Sequence, residues 1–510
     1  MNMKKTINIL AISALAFLSA CDLDQFPKTS FNEGNVKVNQ NTENQYSTRA
    51  DMLGLRNTMY NDWVKDIQEK GYMDWLVSTE CHSDNAYCGG TGAEIITVES
   101  NTQDSDNLNL TRDWDWYMGQ VNNANQIICN IDSIAVSDTS SIKMTETEHH
   151  QWKAEALCWR AWDLFQMSQL WGDVPMVTTI PPAITAENIE QVYPAYFPPR
   201  SSRSDVYKQI IDDLEYACQY APDVDKSNKF LFSKAFAHGM LARIYAEKTS
   251  RDWQKVIDNC QAVEDMGFSL VSRYGDLWKY DANDANRNTS ESIFEVTYTR
   301  DNGNWVWMMF HRNAYSPDDS YTWIKWVTPS RNLIAAYEAE KDTARMNASI
   351  IWDSCGWSNY YPSSRYAFMN KVPTNATSII LMRLAEIYLL HAEALTETGD
   401  LAGAAKYVNK VRTRAGVADL PASASANKTS MIKAVLNERR LELAFEGFRF
   451  YDLVRHDMAA EVCGALTDPS SPSYDSYWYP RDPYTDKTLL MPVPQKAMNK
   501  NRSLVQNPGY

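Results

Sequence analysis

The chain has 510 residues, of which 44% are hydrophobic and 22% are charged, so it can bury a large core as several domains or as one assembly of repeats. Its 64 acidic residues outnumber its 49 lysines and arginines, which gives a formal net charge of -15. This balance disfavours duplex nucleic acid and anionic membrane surfaces as partners, because both need clustered positive charge. Neutral or polar ligands fit the composition better.

The first residues have the arrangement of a bacterial lipoprotein signal. Two lysines precede a short apolar run, which ends in the tetrapeptide LSAC at 18–21. This run is too short to span a bilayer, which needs about 20 apolar residues. We therefore expect residues 1–20 to be removed and Cys21 to be lipidated, with an ordinary secretory signal as the alternative. Residues 21–46 contain few apolar side chains, and we expect them to form a lipid-anchored tether.

Beyond the tether, apolar residues recur mainly at helical spacing, which predicts a chain dominated by α-helices. The predicted helices form antiparallel pairs, which are 113–135 with 147–171, 204–219 with 233–248, 252–266 with 379–398, and 400–415 with 430–446. Such pairing is typical of tetratricopeptide-type hairpins. A long insertion at 267–378 separates the two helices of the third pair.

Residues near position 400 predict a tight turn between two helices. Gly399 can adopt the left-handed conformation that ends a helix, and Asp400 can accept a hydrogen bond from an orphan amide of the next helix. Gly416 is expected to end that helix.

The segment 379–395 is apolar nearly all round, which predicts a buried central helix. Its charged residues recur at helical spacing, and more charges crowd the helix 430–446. Together they predict a structural ion network between helices rather than a catalytic pair of carboxylates, because buried charges on packed helices neutralise one another. These residues are Arg383, Glu386, Glu393, Glu397, Glu438, Arg439, Arg440 and Glu442. His391 on the same segment is expected to be a buried histidine with a satisfied hydrogen bond.

Nine cysteines are scattered along the chain, and several of them are expected to be free and buried. Cys81 and Cys88 are the one close pair, with His82 between them. A zinc site and a loop disulfide are the alternatives for this pair, but a second ligand pair at metal spacing is missing. We therefore expect no metal site.

Five blocks of sequence stand in a fixed order over nearly the whole chain after the tether. They are QLWGDVP at 169–175, SKAFAHGMLARIYAE at 233–247, LMRLAEIYLLHAEAL at 381–395, NERRLELAFEGFRFYDLVRH at 437–456 and LLMPVPQKAMNKNRSLVQNPGY at 489–510. These blocks, behind a lipoprotein signal, resemble the SusD/RagB family of lipid-anchored nutrient-binding proteins of Bacteroidetes outer membranes.

The resemblance implies that residues 47–510 form a single body with a mostly α SusD-like fold. This fold has four tetratricopeptide-like helical hairpins and a long irregular, aromatic-rich insertion. It also implies a partner, a SusC-like TonB-dependent barrel of the outer membrane. Family members deliver oligosaccharides to this barrel, or peptides in the RagB branch. The family is not known for catalysis, so the resemblance implies neither an enzyme nor a cofactor.

The insertion holds seven of the seventeen tryptophans. Sugar rings have an apolar face, so a glycan site needs flat aromatic side chains with polar groups at their edge. Trp305 and Trp307 are two residues apart and would share one side of a strand. Trp323 and Trp326 are three apart and would share one face of a helical turn. We expect about half of the insertion's tryptophans to be core and the rest to bind a glycan.

The early loop 78–92 is a second candidate for ligand contact. Asp84, Asn85 and Tyr87 stand there among glycines, which allow a backbone to approach a ligand closely. The resemblance implies that this loop lies near the glycan site. Other tryptophans, at 114, 116, 159, 162 and 171, are expected to lie in the core.

The motifs H-E-x-x-H, G-x-S-x-G and G-x-x-x-x-G-K do not occur in the sequence. A glycoside hydrolase needs only two carboxylates at a set separation, so an extracellular hydrolase remains an alternative function, with the Asp318-Asp319 pair as a candidate half of its site. We expect binding without catalysis. Within the binding class a peptide ligand is the alternative, and the many aromatic rings favour a glycan.

Overall fold

The structure is a computed structural model that describes residues 46–90, 92–185, 187–281, 284–310, 325–355 and 360–510. Within these ranges the chain is mostly α-helical, as predicted. The predicted signal, Cys21 and nearly all of the tether lie outside the described residues, as do Trp323, Trp357 and the Asp318-Asp319 pair.

The chain divides into two packing units. In chain order the helices are α1 (Arg49–Ile67), α2 (Ala93–Glu99), α3 (Leu108–Ser137), α4 (Glu146–Trp171), α5 (Ile189–Tyr196), α6 (Arg203–Tyr220), α7 (Lys234–Ala246), α8 (Trp253–Asp265), α9 (Arg331–Ala339), α10 (Thr343–Ser349), α11 (Leu384–Thr398), α12 (Leu401–Ala415), α13 (Lys428–Leu443), α14 (Arg449–Arg455), α15 (Ala459–Gly464) and α16 (Gln495–Lys500). Helix α5 belongs to the smaller unit, with residues 181–196, and the other helices belong to the larger. None of the helices in the described ranges has both the length and the apolar character needed to cross a membrane.

The four predicted helical pairs are confirmed as packed pairs, which are α3 with α4, α6 with α7, α8 with α11, and α12 with α13. Gly399 has φ 98°, and the Gly403 amide donates to Asp400 Oδ1 at 2.8 Å. Gly416 has φ 76° and ends α12. The turn predicted near position 400 therefore has the expected geometry, because glycine alone adopts a positive φ without strain.

The strands are β1 (Ala86–Cys88), β2 (Ser292–Val296), β3 (Val327–Pro329), β4 (Ile350–Asp353), β5 (Tyr366–Met369) and β6 (Ile379–Arg383). In the described ranges they form two-stranded antiparallel ribbons, β1 with β3, β2 with β6 and β4 with β5. The β1–β3 ribbon joins the early loop to the insertion, and the β2–β6 ribbon joins both ends of the insertion to the helical scaffold.

The start of the predicted central helix is wrong, because residues 379–383 form β6 and α11 begins only at Leu384. Ile379 and Ile380 pair with Val296 and Glu295 of β2. β-Branched side chains suit such a pleated, packed surface. Helix α7 packs closely against this strand. A Cβ atom at Gly239 of α7 would lie only 2.3 Å from Met382 Sδ of β6, so a larger residue at 239 would clash.

Glu442 of α13 is the centre of a buried ion network. Its carboxylate lies 2.6 Å from Arg383 Nη1 and 3.1 Å from Arg345 Nη1, and it also accepts a hydrogen bond from Arg414. Burial alone would raise the pKa of Glu442, but attraction to Arg414, Arg383 and Arg345 holds that pKa well below its ordinary value. The predicted interhelical ion network is thus confirmed, and it ties α13 to β6, α10 and α12.

The other predicted charges also have ion-pair partners, most of them outside the two helices considered from sequence. The pairs are Glu386–Arg243, Glu393–Arg455, Glu397–Lys428, Glu438–Arg345, Glu438–Arg412, Arg439–Asp452 and Arg440–Asp84. His391 is buried as expected, with Nδ1 2.8 Å from Glu264 Oε1. These charges therefore have a structural role.

We expect Glu442→Gln to lower the free energy of unfolding by about 3–5 kcal/mol, because it leaves three buried guanidinium groups without their central anion. The measurement is urea unfolding at neutral pH. Lys428→Met is the control, since it breaks an ion pair in which Lys428 is 55% exposed, and it should cost less than about 1 kcal/mol. Equal effects of the two substitutions would contradict the central role of Glu442.

Candidate functional site

The β1–β3 ribbon brings the early loop and the insertion together. The Ser330 amide donates to Asn85 O at 2.9 Å, and the Gly89 amide donates to Trp326 O at 3.2 Å. A Cβ at Gly89 would lie 1.9 Å from Lys325 O, so glycine is required for this close approach. The early loop and residues 326–330 of the insertion are therefore packed directly against each other.

Trp305 presents its ring to solvent and is 36% exposed. The stretch is not a strand, because a 3₁₀ turn at Val306–Met309 follows Trp305 directly. Trp305 and Trp307 therefore do not share a strand face, and Trp307 is half-buried. Trp326 is also half-buried and leads into β3, and its amide donates to Met309 O at 2.9 Å.

The backbone that carries Trp305 is firmly held. The Trp305 amide donates to Gln68 Oε1 at 2.7 Å, and the Trp307 amide donates to Asn304 Oδ1 at 3.1 Å. The side-chain amide of Asn304, which is buried, in turn donates to Thr377 O at 2.9 Å. A ring held in this way loses little conformational freedom when a ligand stacks on it. We call Trp305, Trp307 and Trp326 the tryptophan edge.

Asp84 and Asn85 were predicted to contact a ligand, and the structure corrects this prediction. Asp84 is 2% exposed, and its two carboxylate oxygens accept hydrogen bonds from Arg449 at 2.8 and 2.9 Å. Asn85 is fully buried between Glu80 and Arg440. Both side chains are therefore occupied by structural partners, and they anchor the early loop instead of facing solvent.

Tyr87 is also buried, and it belongs to a set of packed rings. Its ring stacks on Tyr360 with centroids 4.5 Å apart and lies 4.5 Å from Trp478. Its hydroxyl donates to Asp475 and accepts from the Arg331 amide at 3.1 Å. Tyr87 thus supports a surface without itself being exposed.

The exposed part of that surface was missed from sequence. The Arg331 guanidinium lies 3.6 Å from the ring of Tyr477 and 4.5 Å from that of Tyr361. Tyr361 in turn contacts Trp352, which carries Arg365 on its face at 4.6 Å. We call Tyr361, Tyr477, Trp352 and the two arginines the aromatic cluster. Tyr477 is 45% exposed.

A signal for this cluster does exist in the sequence, in the run SYDSYWY at 473–479. This run lies about a hundred residues beyond the insertion, so a search limited to the insertion could not connect the two. The structure also tests the expectation that some tryptophans lie in the core. Trp278 of the insertion is buried, and the tryptophans at 114, 116, 159, 162 and 171 are all in the core.

Cys81 and Cys88 are buried free thiols in the structure, and burial raises the pKa of each. His82 between them is fully buried, and burial lowers its pKa to about 3. Its Nε2 lies 2.7 Å from Asn101 Oδ1. Across the described ranges, no group of three His, Cys, Asp or Glu side chains is arranged to hold a metal ion.

Glu99 of α2 connects β1 to the run 473–479. Its carboxylate accepts hydrogen bonds from the Cys88 amide and from the Tyr479 amide, the latter at 3.3 Å. Glu99 is fully buried, and this burial raises its pKa from 4.5 to about 7. A single buried carboxyl group therefore links the early loop to the run that carries Tyr477, and its raised pKa places its ionisation near neutral pH.

The raised pKa of Glu99 predicts a loss of stability as pH rises. Above pH 4.5 the unfolded chain loses this proton while the folded chain keeps it, so the free energy of unfolding falls up to about pH 7, by about 3 kcal/mol. Glu99→Gln should reduce the wild-type decline by about 3 kcal/mol, which urea unfolding at about pH 5 and about pH 8 measures. The rest of the decline belongs to other buried acids such as Asp113, whose pKa burial raises to about 8. The control Glu94→Gln, on the same helix, should keep the wild-type difference. A decline of the same size in Glu99→Gln and in the wild type would show that Glu99 does not contribute to it.

Comparisons with known proteins agree with this architecture. A family model described as "SusD family" matches residues 360–510, and one described as "Starch-binding associating with outer membrane" matches residues 37–246. The SusD-like protein P2 of Formosa agariphila is 26% identical over 464 residues, which cover 82% of this chain and 85% of the relative. A SusD-like protein of Bacteroides ovatus is 22% identical over 503 residues, which cover 89% of this chain and 82% of the relative.

Solved structures confirm the predicted fold. A laminarin-binding SusD-like protein has a TM-score of 0.69 at 23% identity, covering 91% of this chain and 100% of its own. Surface glycan-binding protein A of Bacteroides thetaiotaomicron, solved in complex with laminarihexaose, has a TM-score of 0.70 at 18% identity, covering 90% of this chain and 99% of its own. At such identities the likeness establishes the fold alone.

Proposed function

Because the chain belongs to the SusD/RagB family, we propose that it is a cell-surface lipoprotein of the outer membrane that binds oligosaccharide or polysaccharide. It delivers the bound glycan to a SusC-like TonB-dependent barrel. The observation that most supports glycan binding is Trp305, an exposed indole on a backbone fixed by hydrogen bonds to Gln68 and, through Asn304, to Thr377.

The chemistry of the surface supports a sugar ligand. An exposed indole gives the apolar face of a pyranose a flat partner, and guanidinium groups at the rim donate hydrogen bonds to hydroxyls. Trp305 supplies the first feature, and Arg331 and Arg365 of the aromatic cluster supply the second. The two solved neighbours described above bind laminarin or were solved with laminarihexaose, and both of these ligands are glycans.

The alternatives make different predictions in one experiment. The purified protein is run in native gels that contain single polysaccharides, with starch and laminarin in the panel, and the same mixtures are assayed for new reducing ends. Retardation without new reducing ends supports the proposal. New reducing ends would indicate a hydrolase, and retention of peptides without any retardation by polysaccharide would indicate the RagB-like peptide function.

We expect Trp305→Ala to weaken glycan binding roughly tenfold, about 1.4 kcal/mol, because it removes a stacking surface. The free energy of unfolding should fall by less than about 2 kcal/mol, below the roughly 3–5 kcal/mol typical of a fully buried tryptophan, because the ring is partly exposed. Affinity electrophoresis and thermal melting provide the two readouts. Trp323→Ala, at a position outside the described residues, is tested in the same assay as the second predicted platform.

Trp253→Ala is the matched control for Trp305. Trp253 is a half-buried tryptophan on α8, beside Arg251 and outside both parts of the site. This variant should bind glycan as the wild type does. A large thermal loss in Trp305→Ala, or equal binding by Trp305→Ala and the wild type, would assign Trp305 to the core and remove the main support for the proposal.

Lipidation predicts the location of the protein. In a Bacteroidetes host the wild-type chain should sediment with membranes, and Cys21→Ser should move it to the soluble fraction because the acyl chains are lost. The control Cys129→Ser replaces an exposed cysteine and should leave the protein with the membranes. Membrane association that survives Cys21→Ser would contradict a lipid anchor at this residue.

A further inference from the structure

A groove of about 790 Å³ runs along helix α1. On the helix side it is lined by polar residues at a spacing of three or four, Asn57, Asn61, Lys65 and Gln68. Residues three or four apart lie on one face of a helix. The opposite wall carries the amides of Asn228 and Asn302. The groove is therefore walled by side-chain amides on both sides.

The floor of the groove is aromatic and rigid. It includes the buried rings of Tyr60, Phe230 and Tyr298. The Tyr298 hydroxyl donates to Val64 O at 2.9 Å, and the Tyr60 hydroxyl accepts from the Phe232 amide at 3.1 Å. Because these bonds tie the floor to both walls, the groove is formed before any ligand arrives.

The electrostatic character of the groove suits an uncharged chain rich in hydroxyls. Its lining contains no carboxylate among the described residues. Arg56 lies at one end, where its guanidinium is held by Glu155 through a 2.8 Å hydrogen bond and its charge is balanced. Side-chain amides both donate and accept hydrogen bonds, as a sugar hydroxyl also does.

The groove continues directly into the tryptophan edge. Gln68 lines its other end and accepts the hydrogen bond from the Trp305 amide. Asn302 and Gly303, which line the opposite wall, come immediately before Asn304 and Trp305 in the chain. From Asn57 to Gln68 the helix rises about 17 Å, so the groove is longer than a single sugar ring.

We propose that this groove is an extended subsite, in which the glycan that stacks on Trp305 continues along α1 and hydrogen-bonds to Asn57 and Asn61. The inference rests on the proposed glycan-binding function. It adds a preference for long chains, because only a chain longer than the Trp305 contact reaches the groove.

The test uses oligosaccharides of short and long chain length prepared from whichever polysaccharide retards the wild-type protein most. Calorimetric titration measures the affinity of the wild type and of the double variant Asn57→Ala/Asn61→Ala. For the long chains we expect the double variant to bind about tenfold more weakly, and for the short chains we expect no change. Both side chains are exposed, so the variant should keep the wild-type melting temperature.

Two further variants make the result specific. Asn122→Ala removes an exposed amide of α3 that does not line the groove, and it should leave both affinities unchanged. Trp305→Ala should weaken the binding of short and long chains alike. Equal binding of long chains by the double variant and the wild type would overturn the subsite, and so would an equal loss for both chain lengths. Failure of every polysaccharide to retard the wild type would instead overturn the proposed function.

Discussion

The structure depends on the pairing of buried charges around helix α13. Glu442 and Glu438 bind guanidinium groups from α10, α12 and β6, while Arg440 reaches the early loop through Asp84. A buried charge without its partner is costly, so these elements can pack only in the arrangement that keeps every pair together. One helix thereby fixes the position of the insertion and of the early loop relative to the repeats.

This constraint explains why irregular segments can carry a binding surface. The segments around Trp305 and Tyr477 contain little regular structure, yet their backbones are tied by side chains such as Asn304, Gln68 and Glu99. Hydrogen bonds of this kind replace the regular ladder that a helix or sheet would supply. An exposed ring on a fixed backbone needs less ordering when a ligand stacks on it, so a stable scaffold favours binding at such a ring.

Much of the fold could be predicted from the sequence, because helical periodicity and caps are local properties. The hairpin turn at Gly399 and Asp400 follows from two neighbouring residues, and the structure has it as predicted. The strand 379–383 could not be predicted in this way. An apolar run of this length suits a buried helix as well as a buried strand. Residues 379–383 form a strand because they pair with β2, some eighty residues earlier in the chain.

The site was harder to predict than the fold, because exposure is decided by residues far away in sequence. The residues around Asp84 have the composition of a ligand-binding loop. Asp84 is nevertheless buried by an ion pair with Arg449, which lies 365 positions later in the chain. Trp278 and Trp305 both stand in the same aromatic insertion, yet Trp278 is 5% exposed, with the Lys371 ammonium 4.5 Å from its ring. Counting aromatic residues in the sequence therefore identifies only the segment in which exposed rings can occur. Which of these rings are exposed depends on the groups that cover some of them, as the Lys371 ammonium covers Trp278, and that leave Trp305 open.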